Sequence, residues 1–235
     1  MVYSELGRYP LIVERKFRII KYWLKIVTNG TSQLVLDSYK SMYSQVDENN
    51  NIINWAVCGR DLLLGLGFWE VWYQQGVANK SLFLRTCRQR LRDQYIQQWY
   101  GPLRDRSSCL LYQELKNEFD YSEYLKSIKC HKWRVALTRF RTRNHLLENV
   151  TMGQGHRPLP YNKRLCVECG VLGDEYHCVF ECKKNEHLHS ILPAYYRRRP
   201  SMVKLIQLMT TARVSELNKL SKFLYKMQML PGQPP

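Results

Sequence analysis

Pro10-Leu11-Ile12-Val13-Glu14-Arg15-Lys16-Phe17-Arg18-Ile19-Ile20-Lys21-Tyr22-Trp23-Leu24-Lys25-Ile26-Val27-Thr28-Asn29-Gly30 is the stretch from which the rest of the chain is read. Proline suits a first helical position, where its missing N–H would be unpaired anyway. Apolar and basic residues then alternate from Leu11 to Val27, and Asn29-Gly30 is a good helix stop. The same punctuation recurs downstream. A second helix is expected over about Ser32–Ser44, ending in the polar loop Asp47-Glu48-Asn49-Asn50-Asn51, and a third over Asn54–Leu66, ending near Gly67. From Ser81 to Tyr100, Leu84, Cys87, Leu91 and Tyr95 fall about one helical turn apart, with Arg85, Arg88 and Arg92 on the neighbouring stripe. Gly101-Pro102 should stop that helix. Two shorter helices follow over Ser107–Phe119 and Tyr121–Ile128, and a longer one over about Lys129–Glu148. Thr151–Pro160, rich in glycine and proline, reads as a linker. A last helix should run from Ser201 to about Met227, before a disordered Pro-Gly-Gln-Pro-Pro tail. The expected fold is mainly α. It has a multi-helix body over 1–150, a small metal-binding knuckle over 151–200, and a terminal helix with its tail over 201–235.

The 235 residues are 45% hydrophobic, enough for one substantial core or for a larger and a smaller one. The formal charge of +16 and a pI near 9.6 point to an acidic partner such as nucleic acid. Leu62–Trp72 is the most apolar run and falls far short of the roughly 20 residues that span a bilayer, so no membrane is expected. Nothing near Met1 resembles a secretory signal. The expected location is intracellular, in nucleus or cytoplasm, where thiols stay reduced.

The eight cysteines fit that setting, because four are scattered (Cys58, Cys87, Cys109, Cys130) and four cluster (Cys166, Cys169, Cys178, Cys182). Cys166-Val-Glu-Cys169-Gly170 puts two thiolates two residues apart on a tight turn, with a glycine able to take positive φ. His177 and Cys182 complete a C-x2-C-x7-H-x4-C set, a Cys3His site for one structural zinc with no position left open for water. Cys178 or His187 is the alternative fourth donor. No thioredoxin-like pattern supports a redox pair instead.

Between Lys129 and Arg164 lie nine basic residues and a single acid, Glu148. Like charges a turn apart on a helix repel mildly, so such a run suggests an anionic partner. Lys132, Arg139 and Arg143 are expected on one helical stripe, with Arg134, Arg141 and Arg164 adding to the surface. Trp133 and Phe140 are expected in the core. The candidate nucleic-acid residues are therefore Lys132, Arg134, Arg139, Arg141, Arg143 and Arg164, together with Arg85, Arg88 and Arg92. Arg197-Arg198-Arg199 is a weaker candidate.

Trp133-Arg134-Val135-Ala136-Leu137-Thr138-Arg139-Phe140-Arg141-Thr142-Arg143-Asn144-His145-Leu146, followed by Arg164-Leu165-Cys166-Val167-Glu168-Cys169 and Asp174-Glu175-Tyr176-His177 with Cys182, resembles the region downstream of the polymerase core in non-LTR (LINE-type) retrotransposon reverse transcriptases. Leu6-Gly7-Arg8-Tyr9-Pro10-Leu11 and the helix after it also resemble that family's segment beyond the palm. The resemblance implies a zinc-binding domain, a packing role for Cys178, and a part in holding template RNA and target DNA. Glu148–Arg157 departs from the family pattern. The chain contains no Asp-Asp pair of the kind a polymerase palm uses for its metals, and after Cys182 only Glu186 and Glu216 are acidic. The expectation is a non-enzymatic, zinc-dependent nucleic-acid-binding fragment contacting RNA, an RNA–DNA hybrid or DNA, with the missing polymerase core as a further partner. The alternative is a structural or protein-interaction domain, or an inert relic.

Overall fold

The computed structural model describes residues 1–28, 30–46, 54–104, 110–145, 152, 157 and 159–229. The fold is mainly α, and among the described residues β-pairing is limited to two isolated antiparallel bridges, Leu6 with Tyr121 and Leu165 with Leu172. The chain divides into two compact units, Tyr9–Gly101 and a discontinuous one made of Met1–Arg8 with Pro102–Pro235. These bounds differ from a division at 150 and 200, for a reason visible in the second core.

The Tyr9–Gly101 unit contains α2 (Leu11–Val27), α3 (Gln33–Ser44), α4 (Trp55–Gly65), α5 (Trp69–Gln74) and most of α6 (Lys80–Arg104); α1 (Val2–Glu5) belongs to the other unit. One face of α2 buries Phe17, Ile20, Trp23 and Leu24 against Ala56 and Leu63 of α4, Trp72 of α5, and Phe83, Cys87 and Leu91 of α6. Spacings of three and four residues put these side chains on one stripe. Trp23 carries a polar N–H into that core, and Nε1 donates to the Tyr39 hydroxyl at 3.0 Å. Asn54 caps α4 by accepting from the Val57 N–H. The expected stop of α2 holds at Val27, while Asn29 and the loop at 47–51 lie outside the described residues. Pro102 does not stop α6, which runs on to Arg104.

The second unit is centred on α9 (His131–Arg141) packed against α13 (Val214–Gln228). Around this pair lie α7 (Leu110–Leu115), α8 (Tyr124–Ser127), α10 (Glu175–Phe180), α11 (Ala194–Arg197) and α12 (Met202–Thr210). Ala136, Leu137 and Phe140 of α9 meet Leu217, Leu220, Phe223 and Leu224 of α13 in a core that also contains Cys178 and Val179 of α10. Phe140 is fully buried and Trp133 packs on the same core, as expected. The knuckle therefore shares a core with the helices around it instead of forming a separate body.

Four expected helices come out differently. α9 ends at Arg141, well before Glu148, because Arg143 takes φ +52°. The Asn144 N–H then reaches the Arg139 carbonyl at 2.8 Å, and the Arg143 N–H reaches Phe140 O at 3.3 Å. This is a Schellman stop with arginine where glycine is usual. The terminal helix is two helices, since the Thr211 hydroxyl accepts from the Arg213 N–H and competes with a continuous ladder. The helices expected over 107–119 and 121–128 are the short α7 and α8, with 105–109 outside the described residues.

Met1–Arg8 is held within this second unit. The Ser122 N–H donates to Glu5 O at 2.9 Å, Ser4 Oγ shares a 2.6 Å hydrogen bond with the Tyr112 hydroxyl, and the Glu5 carboxylate pairs with Arg141 at 3.4 Å.

Candidate metal centre

The centre begins with a turn. The Gly170 N–H donates to Cys166 O at 2.8 Å, closing Cys166–Gly170, and Gly170 takes φ +70°, a conformation glycine adopts without a Cβ clash. The Cys166 N–H pairs with Val171 O and the Gly173 N–H with Arg164 O, so the turn is braced on both sides. Gly173 approaches so closely that a Cβ there would lie 3.2 Å from Cys166 N.

The other two donors come from α10 and its exit. Asp174 caps α10 by accepting from the His177 N–H at 2.8 Å. One turn later the Cys182 N–H donates to His177 O at 2.8 Å, which brings the Cys182 thiol back beneath the imidazole. The donor atoms of Cys166, Cys169, His177 and Cys182 all lie within 4.8 Å of one another, and this cluster could hold a metal ion.

Its geometry fits such an ion. Cys166 Sγ and Cys182 Sγ stand 3.8 Å apart. Metal–sulfur bonds of about 2.3 Å at tetrahedral angles give an edge of about 3.8 Å. His177 is buried, yet neither ring nitrogen has a hydrogen-bond partner; Nδ1 lies 3.6 Å from Glu181 Oε2, too far for one. A buried polar atom without a partner costs about 1–3 kcal/mol, which ligation would recover. Burial, with the neighbouring Cys166 and Cys169, pushes the Cys182 thiol up to about 12. Cys178 points into the core instead, and His187 is exposed, so neither replaces a donor in the cluster.

A second polar cluster ties the knuckle to the end of α9. The Glu175 carboxylate meets Arg143 Nε at 3.1 Å and His145 Nε2 at 3.3 Å, all three side chains being buried. Burial alone would raise the Glu175 carboxyl, but the His145 hydrogen bond and the Arg143 charge outweigh it and hold it below the usual carboxylate range. The Arg143 and Arg164 guanidinium groups lie 5.6 and 5.8 Å from the centre of the Tyr161 ring.

The cations read from sequence as one surface therefore separate. Lys132 and Arg139 are exposed on α9. Arg141 and Arg143 are not surface residues. Arg141 pairs with Glu5 and donates to Met209 O and Leu115 O, while Arg143 pairs with Glu175. Arg141 ends α9 one turn after buried Leu137 and meets Glu5 there, while the positive φ of Arg143, past the end of the helix, brings it to Glu175. Half-buried Arg134 donates to Ile128 O at 3.1 Å, closing the end of α8, and Arg164 Nε donates to Leu159 O at 2.8 Å. In the other unit Arg85, Arg88 and Arg92 are exposed on α6, with Arg88 stacked 4.1 Å over Phe17 and Arg92 5.3 Å over Tyr9. Sequence reasoning missed Glu5 and Glu175 as buried counter-charges. Glu175 had a local signal, its place in the first turn after the Asp174 cap. Glu5 had none, since its partner lies far along the chain.

No family model, curated protein or solved structure matches the chain. No helix among the described residues is long and apolar enough to cross a membrane.

Proposed function

We propose that the chain is a non-enzymatic nucleic-acid-binding module built around one structural zinc ion, of the kind that follows the polymerase core in LINE-type retrotransposon reverse transcriptases. The observation that carries this reading is the closed set of Cys166, Cys169, His177 and Cys182, which would surround the ion on four sides and leave no position for water or substrate. Three thiolates and an imidazole suit zinc over the harder cations, which prefer oxygen. Zinc there acts on folding. The four donors sit on a turn, a short helix and its exit, none of which is long enough to be stable alone.

Nucleic acid as the partner is supported by the net charge of +16 and by exposed cations outside the ion pairs found among the described residues: Lys132 and Arg139 on α9, and Arg85 and Arg92 on α6, with exposed Arg88 between them offset by Glu14 at 3.8 Å. Binding of the zinc-loaded protein to single-stranded RNA, RNA–DNA hybrid and duplex DNA across a salt series tests the reading. A steep fall of log affinity with log salt is expected, because each neutralised phosphate releases counterion. Absence of binding near physiological salt would refute it.

A second reading, a protein-docking domain, is favoured by one observation. Trp69 and Tyr73 of α5 are both more than half exposed and meet edge to face at 6.1 Å, so together they offer an apolar surface that a partner could cover. Self-association or capture of an acidic protein with no affinity for nucleic acid would establish it.

A further inference from the structure

Downstream of the knuckle, Pro193–Pro200 forms a short turn whose backbone is fastened on three sides. Tyr196 of α11 is buried and its hydroxyl donates to Glu216 Oε2 at 2.9 Å. Lys204 Nζ, from α12, donates to the carbonyl oxygens of Tyr195 and Arg198. The Tyr176 hydroxyl, one residue before the donor His177, reaches Pro200 O at 3.2 Å. Within this frame Arg199 takes φ +49°, a conformation that residues other than glycine adopt only when their surroundings hold them there.

What the frame presents is an exposed aromatic ring followed in the chain by three arginines, with Lys204 Nζ 4.7 Å from the ring centre over one of its faces. Tyr195 is 63% exposed, and Arg197, Arg198 and Arg199 are exposed beside it. No acidic residue occurs between His187 and Ser215, so nothing nearby in the chain neutralises the three arginines. The first acid after them, Glu216, is already engaged by Tyr196, Thr211 and Arg213. Three guanidinium groups that form no ion pair among the described residues, on a fastened turn, suit a run of phosphates. The face of the Tyr195 ring that Lys204 leaves open suits an unpaired base, which can stack on it where a base inside a duplex cannot.

We propose that Tyr195 and Arg197–Arg199 form a contact for single-stranded nucleic acid, with phosphates on the arginines and a base on the tyrosine ring. This rests on the nucleic-acid reading above and assigns that reading a strand type and a place. Because one fastening comes from Tyr176 on α10, the shape of the turn depends on the metal-holding helix.

The test is equilibrium binding of the full zinc-loaded chain to an RNA single strand, the DNA strand of the same sequence, and their duplex, over a salt series. Arg197→Gln/Arg198→Gln/Arg199→Gln should retain its zinc and flatten the log–log salt slope for single strands by about 2, from about 0.7 per phosphate contact. Tyr195→Ala should weaken single-strand binding about five-fold or more and leave duplex binding unchanged, while Tyr195→Phe keeps wild-type affinity. RNA and DNA strands should both respond, since ring and guanidinium read base face and phosphate, not the 2′-hydroxyl. If the wild type binds single strands steeply and either variant matches it, this contact is wrong and the broader function survives. If the wild type binds none of the three, both fall.

Discussion

Replacing Glu5 with Gln should destabilise the protein as a core substitution would, because its carboxylate is buried. The Glu5 and Arg141 side chains are 2% and 5% exposed and meet at 3.4 Å. Removing the carboxylate's charge leaves a buried guanidinium uncompensated, and breaking a buried pair from one side costs about 3–5 kcal/mol. Arg141 keeps its hydrogen bonds to Met209 O and Leu115 O and its place over the Tyr124 ring, which argues for the lower end of that range. For a chain of this size about 3 kcal/mol corresponds to a fall in Tm of roughly 6–12 °C. Arg139→Gln, two residues from Arg141 but exposed, should change stability by no more than about 0.5 kcal/mol. Thermal and urea unfolding followed by far-ultraviolet circular dichroism read both variants. The double variant Glu5→Gln/Arg141→Met should recover part of the loss, because no unpaired charge then remains buried. Wild-type Tm for Glu5→Gln would mean that Arg141 faces solvent and belongs to the nucleic-acid surface after all.

Cys166→Ser/Cys169→Ser should lose bound zinc and unfold the knuckle while the Tyr9–Gly101 unit persists. Metal analysis reads the first effect, and fluorescence reads the second, since five of the six tryptophans lie in that unit and Trp133 alone in the other; retained zinc would remove the site assignment. Arg143→Gly should be more stable than Arg143→Ala by about 1 kcal/mol, because both lose the Glu175 pair and only alanine bears the cost of positive φ. Equal urea midpoints for the two would contradict the Schellman stop. Burial pushes the Tyr39 hydroxyl up to about 12, against an opposing hydrogen bond from Trp23. The folded state therefore retains a proton that the unfolded chain releases near pH 10, so stability should fall as pH rises from about 10 towards 12. Tyr39→Phe should flatten that alkaline decline in a pH series of urea midpoints, and an unchanged decline would place the tyrosine in water.

Helix existence and the four metal donors were legible because their signals are local. Leu84, Cys87 and Leu91 mark a buried stripe without knowledge of the partner, and Cys166, Cys169, His177 and Cys182 sit within one short segment whose spacing matches a tetrahedron. The end of α9 was not legible, because it depends on arginine adopting a glycine conformation, and the Glu175 ion pair holds that arginine in place. The cationic surface was misread for the same reason. Arg139, Arg141 and Arg143 are indistinguishable by charge, and only the long-range carboxylates Glu5 and Glu175 turn two of them inward. The break between α12 and α13 rests on one hydroxyl, Thr211, that helix propensity barely registers.

The discontinuity of the second unit bears on how the chain acquires its shape during synthesis. Ser4 and Tyr112 are 108 residues apart, so the hydrogen bond between them has to wait for translation. At about 5–20 residues per second that wait is roughly 5–20 s, long enough for α2 to α5 to form first. Until Arg141 emerges, Glu5 stays hydrated with its segment unanchored. Met1–Arg8, made before the rest of its unit, is thus among the last parts of that unit to find its place.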